Sequence, residues 1–477
     1  MISAGPCRLC RLARETDDPT DTREHNEEGT TWEEMIRSVQ AAHARGEAST
    51  PAGNGARATR RPRHDGTPAG PSAAPAGVPR RTLLGVAGAA GLTVGAAAGA
   101  GGHALAAEQP RALSTVGSAS VPFHGRHQAG ISSPLQAHGH LVAFDLVPGA
   151  GRDRAAALMR RWTSAAATMA EGRQPAEDNQ IALDAGPSSL TVTFGFGASF
   201  FDRTGLRSQR PEALAPLPPF SADALDRQRS DGDLFVQVGA DDALVAFHAL
   251  RVLQKLAAGT AAVRWQMSGF NRTPGATAEP RTARNLMGQV DGTNNPRPSD
   301  ADFDARVFVP ASARPAWMAN GSYVVVRRIR MLLDSWDQLS LAEQEKVIGR
   351  RKSDGAPLSG GTETTPVDLG GRRADGSLAI AGDAHVRVAA PESNGGAAML
   401  RRPFSFHDGF DERGAPDAGL LFMAWQADPR RGFVPVQRKL DRGDGLSRFL
   451  RHEASALFAV PGGCAPGEYV GQRLLQG

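Results

Sequence analysis

Residues 139–270 alternate between short apolar runs with many β-branched side chains and longer stretches rich in alanine and leucine. The short runs predict strands at 139–146, 189–197, 233–238 and 262–268. The longer stretches predict helices at 152–169 and 241–258, and either Asp241 or Asp242 is the expected N-cap of the second helix. The resulting order, β-α-β-β-α-β, is the ferredoxin-like arrangement.

The C-terminal part of the chain shows a similar succession. Strands or extended segments are predicted at 322–332, 385–390, 399–406, 419–426 and 455–460. One helix is predicted at 340–350, where Ser340 and Glu343 form a capping-box pattern, and another around 446–452. The second half therefore repeats the plan of the first half.

This duplication predicts the fold class and the domain organisation. We expect an α+β chain built from two ferredoxin-like domains with antiparallel sheets, one at 107–280 and the other at 281–477. The irregular insertions 271–310 and 351–383 are the expected functional loops, since binding residues are often carried by loops on a rigid scaffold.

The first 106 residues lack this periodicity. Residues 1–77 are rich in glycine, alanine, proline, threonine and charge, which predicts a disordered extension or a start codon assigned too far upstream. In 78–106, the pair Arg80-Arg81 precedes an uncharged Gly/Ala-rich run and an A-x-A pattern that ends at Ala106. This order predicts a twin-arginine signal peptide, with a transmembrane helix as the alternative. The expected location is extracellular or in the cell envelope.

Composition narrows the class of protein further. The 477 residues include 54 Lys+Arg against 50 Asp+Glu, so a net charge of +4 argues against nucleic acid as a partner. Three cysteines are too few for a disulfide-rich scaffold of this length. After residue 106 there is no run of about 20 apolar residues, so no stable membrane span is expected.

Three segments of the C-terminal half carry candidate chemistry. Asp291 lies in the turn-rich stretch 288–296, where it is either a reactive carboxylate or an Asx-turn that caps its own backbone. His385 is either a metal ligand or an ordinary structural histidine. Arg401 and Arg402 enter an apolar strand. Because an unpaired buried charge is costly, one of them needs an anionic partner, which is either a ligand or a structural carboxylate.

Taken in order, these segments resemble the dye-decolourising (Dyp-type) heme peroxidases. Gly288-x-x-Asp291-Gly292-Thr293-x-Asn295 resembles the GxxDG signature of that family. The region from Asp383-x-His385 to Leu400-Arg401-Arg402 resembles its proximal-histidine and distal-arginine region. Supporting matches occur in the same order at 121–131, 317–326, 348–350, 355–358 and 420–422. The leader and the opening at 121–131 resemble the exported deferrochelatase/peroxidase branch, and the resemblance covers nearly all of the chain after residue 106.

The resemblance implies a heme b cofactor in the C-terminal half and a role for each matched residue. His385 would ligate the heme iron from the proximal side. Asp291 would accept and return a proton of hydrogen peroxide, and Arg401 would stabilise charge as the O–O bond breaks. Strand alternation is expected to turn Arg402 to the other face. The remaining expected cofactor contacts are Gly292, Thr293, Asn294, Arg387, Leu421 and Phe422.

The function implied is that of an exported peroxidase that reduces hydrogen peroxide and oxidises bulky aromatic or dye-like reductants. The alternative is a heme-binding, iron-release protein (a deferrochelatase) with incidental peroxidase activity. A third hypothesis is a heme-free binding module. Components of an iron-uptake system and a second copy of the chain in a homo-oligomer are the other expected partners.

Overall fold

The computed structural model describes residues 117–176, 178–277 and 281–477. The extension predicted at 1–77 and the leader predicted at 78–106 lie outside these residues. Within the described part of the chain, no helix has the length and apolar character needed to cross a bilayer.

Four strands and three helices make up the N-terminal half of the described chain. They are β1 (His138–Leu146), α1 (Arg152–Ala170), β2 (Thr191–Phe196), α2 (Ala198–Arg203), β3 (Leu234–Ala240), α3 (Ala243–Ala257) and β4 (Ala261–Phe270). Asp242 is the N-cap of α3, because its carboxylate accepts hydrogen bonds from the backbone N–H groups of Leu244 and Val245 at 2.7 and 3.1 Å.

The C-terminal half has five strands and six short or medium helices. They are α4 (Phe303–Val307), β5 (Ser322–Met331), α5 (Leu333–Asp337), α6 (Leu341–Ile348), α7 (His385–Val388), β6 (Leu400–Arg401), β7 (Phe404–Phe410), β8 (Pro416–Gln426), α8 (Phe433–Gly443), β9 (Leu450–Val460) and α9 (Gln472–Leu475). The predicted capping box begins α6. Glu343 N–H donates to Ser340 Oγ at 3.3 Å, and Ser340 N–H donates to Glu343 Oε2 at 2.8 Å.

Every pairing between these strands is antiparallel. The first half has the strand order β2-β3-β1-β4, and the second half has the order β9-β5-β8-β7, with β6 beside β8. The halves join edge to edge where Phe196 of β2 pairs with Ala459 of β9 and Phe270 of β4 pairs with Ser405 of β7. Because β5 also pairs with β8, the sheet closes on itself as a barrel.

Strand alternation separates two apolar cores. On β1, Val142 and Phe144 face outward into the core beneath α1 and α3, whereas Leu141 and Ala143 face the barrel interior. The neighbouring strand β3 also contributes alternate residues to the two cores. Both of its faces are buried, and no residue of Leu234–Ala240 is exposed. A smaller third core under α5 and α6 includes Trp336. The barrel supplies the rigid surface on which the loops of the second half rest.

Two predicted elements are wrong. Residues 385–390 are not extended, because His385–Val388 form the short helix α7, in which the Val388 N–H donates to the carbonyl of Ala384 at 3.0 Å. No strand among the described residues lies beside this segment, so the β-propensity of its valines has no sheet to join. Residues 446–452 are not one helix either, since a 3₁₀ turn at Gly445–Phe449 passes directly into β9.

Candidate active site

Segments that lie far apart in the sequence meet at one cavity on the outer face of the second half-sheet. The cavity has a volume of about 340 Å³. Its wall includes side chains from the loop 285–294, from helices α7 and α8, and from strands β5, β6, β8 and β9. Most of the wall is apolar, and its larger members include Met287, Ile329, Met331, Ile348, Leu420, Phe422, Phe433, Leu440 and Leu450. Asn294, Pro366 and Glu392 line the cavity and are exposed, so the cavity reaches the protein surface there.

His385 is the first residue of α7 and lines this cavity. Its Nδ1 lies 2.9 Å from Oδ2 of Asp444, whose side chain is only 2% exposed. The other oxygen of Asp444 accepts the N–H of Leu446 at 3.0 Å, which fixes the orientation of the carboxylate. Because Nδ1 is engaged, Nε2 is the ring nitrogen that remains available to a ligand in the cavity.

Electrostatics at this histidine are set by its carboxylate partner. Desolvation by the surrounding protein alone would lower the pKa of His385, but the charge and hydrogen bond of Asp444 raise it above the ordinary histidine value. Arg401 acts to lower the same pKa and Asp291 acts to raise it, so both groups are within electrostatic reach of the imidazole. The histidine and the Asp291–Arg401 pair therefore share one site.

Asp291 is held by two side chains, one on each carboxylate oxygen. Arg401 Nη1 donates to Oδ1 at 3.1 Å, and Asn285 Nδ2 donates to Oδ2 at 3.3 Å. The Asx-turn considered for Asp291 is instead made by Asn285, whose Oδ1 accepts the N–H groups of Met287 and Gln289 at 3.0 and 3.4 Å. The carboxylate of Asp291 is thus directed to the cavity.

The two consecutive arginines have different surroundings. Arg401 lines the cavity beside Asp291, with 27% of its side chain exposed. Arg402 is buried among the carbonyls of Ser133 and Pro134 and the side chain of Gln136. Desolvation lowers the pKa of Arg402 to about 10. The side chains of neighbouring strand residues point to opposite faces, as the sequence pattern predicts.

The other predicted contacts divide into two groups. Gly292, Thr293, Asn294 and Phe422 all line the cavity. Leu421 does not, because alternation along β8 turns it into the barrel interior while Leu420 and Phe422 face the cavity.

Arg387 is also absent from the cavity wall. Its guanidinium donates to the backbone carbonyls of Leu369, Ile380 and Ala381 at 2.6 to 3.3 Å. In a strand, as predicted, Arg387 and His385 would point to the same side. Because α7 is a helix, the side chain of Arg387 points in a different direction from the imidazole. Arg387 therefore anchors the loop that precedes α7.

Four polar residues of the site have no role in the prediction from sequence. Asp444 and Asn285 contact predicted residues directly, and Asn295 binds Arg401. Arg350 lines the cavity while it donates to the carbonyls of Gly355 and Glu363. The sequence carries a signal for three of them: Asn295 and Arg350 lie within stretches that resemble the family, and Asn285 lies within ten residues of Asp291 in a turn-rich stretch.

The residues present fit an iron porphyrin. An imidazole backed by a buried carboxylate is the usual arrangement of a metal-ligating histidine. The wall around the imidazole is largely apolar, as a macrocycle requires. Arg350 and Arg401 supply positive charge for the anionic groups of the cofactor or of a ligand bound to it. Moreover, His452 lines the cavity, and its buried Nδ1 has no hydrogen-bond partner among the described residues.

This fold and cavity define a two-domain heme peroxidase of mixed helix and strand content. Family models match the chain twice: the N-terminal domain of Dyp-type peroxidases at 128–271 and the C-terminal domain at 282–465. The chain belongs to the Dyp-type peroxidase family, whose members are oxidoreductases that bind heme.

Individual relatives agree with this assignment. A dye-decolorizing peroxidase of Thermobifida fusca (strain YX) is 48% identical over 362 residues, which cover 73% of this chain and 84% of that protein. A deferrochelatase of Escherichia coli O157:H7 is 35% identical over 372 residues, covering 74% and 87%. The structure of ferric DtpA from Streptomyces lividans is 68% identical with a TM-score of 0.75, covering 76% of this chain and 99% of that chain.

Proposed function

We propose that this protein is an exported peroxidase that reduces hydrogen peroxide and oxidises bulky aromatic or dye-like reductants. One observation carries the proposal: His385, backed by Asp444, shares a cavity with the hydrogen-bonded pair Asp291 and Arg401. In this proposal the cofactor is heme b, and His385 would hold its iron. The name of the Thermobifida relative supports dyes as a substrate class.

Each polar residue of the cavity has a task in this proposal. When bound, the iron porphyrin as a whole would supply the two electrons that the reduction of peroxide requires. Asp291 accepts the proton of the attacking peroxide oxygen and delivers it to the oxygen that departs as water. The guanidinium of Arg401 stabilises the negative charge that develops as the O–O bond breaks, and it cannot lose its charge at any physiological pH. Asn285 orients the carboxylate through the 3.3 Å bond to Oδ2.

The dimensions of the cavity bear on the reductant. Hydrogen peroxide is small enough to enter at the exposed side chains of Asn294, Pro366 and Glu392. A polycyclic dye is far larger than hydrogen peroxide, and the apolar wall that it would need is the wall that would hold the heme. In this proposal bulky reductants are therefore oxidised from the protein surface.

A second candidate function is the release of iron from heme. The relative named deferrochelatase, 35% identical to this chain, favours it. A heme carrier needs His385 and the apolar wall but has no use for a carboxylate and a guanidinium held at 3.1 Å. The two functions therefore make different demands on Asp291.

Replacing Asp291 by Asn separates the two functions. We expect heme affinity to be retained and peroxide turnover to fall by about 100- to 10,000-fold, the range that general acid–base catalysis contributes. Asp375→Asn makes the same change of charge in an exposed turn and should change neither quantity. Turnover at the wild-type rate in Asp291→Asn would show that the acid–base assignment is wrong.

Further proposals concern the rest of the protein. We interpret each half, at 107–280 and 281–477, as a ferredoxin-like domain, since the strand orders β4-β1-β3-β2 and β9-β5-β8-β7 both fit that arrangement. Export by the twin-arginine route, a homo-oligomeric state and a place in iron uptake remain part of the proposal. Mass spectrometry of the protein recovered from its native host tests export, because cleavage after Ala106 would leave a mature chain beginning at Ala107.

A further inference from the structure

One amide outside the cavity wall makes three hydrogen bonds to a single residue of the site. Asn295 Nδ2 donates to the carbonyl oxygen of Arg401 at 2.8 Å. Its Oδ1 accepts the backbone N–H of Arg401 at 3.2 Å and the side-chain Nε–H at 3.1 Å. The two residues are 106 positions apart in the chain, so this contact joins the loop after Asp291 to strand β6.

These three bonds restrict the guanidinium strongly. A free arginine side chain samples many rotamers, and ordering it costs conformational entropy. Because the guanidinium is planar, anchoring both Nε and the backbone determines the direction in which the two Nη groups point. Nη1 then meets Asp291 Oδ1 at 3.1 Å, while Nη2 makes no hydrogen bond among the described residues. Both N–H donors of Nη2 therefore remain for an anion in the cavity.

The same turn carries both residues that hold Arg401. Asn295 N–H donates to the carbonyl of Gly292 at 3.0 Å, and Gly292 has a φ of 119°, a conformation that side-chain-bearing residues rarely adopt. This turn sets the spacing between Asp291 and Asn295. The acid–base group and the amide clamp are thus positioned together by one piece of backbone.

We propose that Asn295 is a positioning residue that holds Arg401 so that its guanidinium faces Asp291 and the cavity at the same time. This inference rests on the proposed function, because it concerns the group that stabilises anionic charge during peroxide cleavage. Asn295 does not line the cavity and touches no substrate. Its effect on an anion in the cavity passes entirely through Arg401.

Fluoride binding to the ferric, heme-loaded full-length protein tests this inference without turnover. The affinity for fluoride is measured from the change in the Soret band at constant pH. Arg401→Leu should weaken fluoride binding, and Asn295→Ala should weaken it by about tenfold or more, as expected for partners that orient a site group. The double variant should lose no more than Arg401→Leu alone, since both changes remove one function.

Asn271 provides a matched control. Its amide donates to the carbonyls of Gln136 and Pro403 at 3.3 and 3.0 Å, so it holds the chain two residues beyond Arg401 without contacting that side chain. Asn271→Ala should keep wild-type fluoride affinity. If Asn295→Ala does not fold, Asn295→Ser preserves a small polar side chain that cannot reach both partners, and it should also weaken fluoride binding.

The outcomes are distinguishable. Weaker binding in the folded Asn295 variants, with no additional loss in the Arg401→Leu background, supports the inference. Unchanged affinity in those variants, or an equal additional loss in the Arg401→Leu background, overturns it while the proposed function stands. If Arg401→Leu itself binds fluoride and turns over peroxide as the wild type does, the proposed role of Arg401 fails, and the inference fails with it.

Discussion

Replacing Asp444 by Asn tests the histidine side of the site. In the structure Asp444 Oδ2 lies 2.9 Å from His385 Nδ1, and the carboxylate is almost completely buried. The introduced amide can still accept the N–H of Leu446 through Oδ1, so the local turn is preserved. The group facing Nδ1, however, becomes an N–H donor. It favours the tautomer that carries its proton on Nε2, the nitrogen needed for ligation.

The size of the effect follows from the bond that is lost. A hydrogen bond involving a charged group contributes about 1.5–3 kcal/mol. At about 1.4 kcal/mol per tenfold change in a binding constant, this corresponds to a loss of about 10- to 100-fold in heme affinity. The same range is typical when the hydrogen-bond partner of a metal-ligating histidine is removed.

Titration of the heme-free protein with hemin, followed at the Soret band, measures this quantity. Asp441→Asn is the matched control, since it makes the same charge change three residues away, where the carboxylate binds Ser221. It should leave heme affinity unchanged. Wild-type heme affinity in a folded Asp444→Asn protein would refute the argument that this carboxylate prepares His385 for ligation.

Two predictions concern the stability of the barrel. Arg328 is buried on β5 and pairs with three partly exposed carboxylates, those of Asp408, Asp417 and Glu453. Arg328→Met should lower the free energy of unfolding by about 1.5–3 kcal/mol, the contribution of a hydrogen bond to a charged group, because the carboxylates left behind are partly exposed; an unchanged urea midpoint would contradict this. Burial, and to a smaller extent the charge of His138, lowers the pKa of His140 from 6.5 to about 4. Between pH 6.5 and 4 this histidine is therefore protonated in the unfolded chain but not in the folded protein. The free energy of unfolding should therefore fall by up to about 3 kcal/mol between pH 6.5 and 4. Melting curves of His140→Asn should lack this part of the loss, and an identical acid sensitivity of both proteins would argue against it.

Local patterns predicted much of the fold. The β1 sequence alternates between two buried environments, and Ser340 with Glu343 marks the start of α6, because these features depend on neighbouring residues only. The segment at His385 was predicted incorrectly for the opposite reason. Its two valines favour a strand, but a strand forms only beside a partner strand, and the described part of the chain places none next to α7.

The site itself was only partly predictable. Motif order singled out Asp291, His385 and Arg401, and the structure brings them to one cavity. Asp444 could not be found in this way, since it lies 59 residues from His385 and its acidic side chain resembles many others in the sequence. Leu421 was assigned to the wrong face, because a motif identifies a stretch of strand but the pleat decides which of its residues face the ligand.

The central claim is that the cavity binds heme through His385 and makes it reactive toward peroxide. The most direct test is an absorption spectrum of the heme-supplied protein before and after addition of one equivalent of hydrogen peroxide. We predict a Soret band that is present at the start and shifts on mixing with peroxide. A Soret band that peroxide leaves unchanged would contradict the peroxidase assignment, and the absence of any Soret band after heme supply would contradict the cofactor site as well.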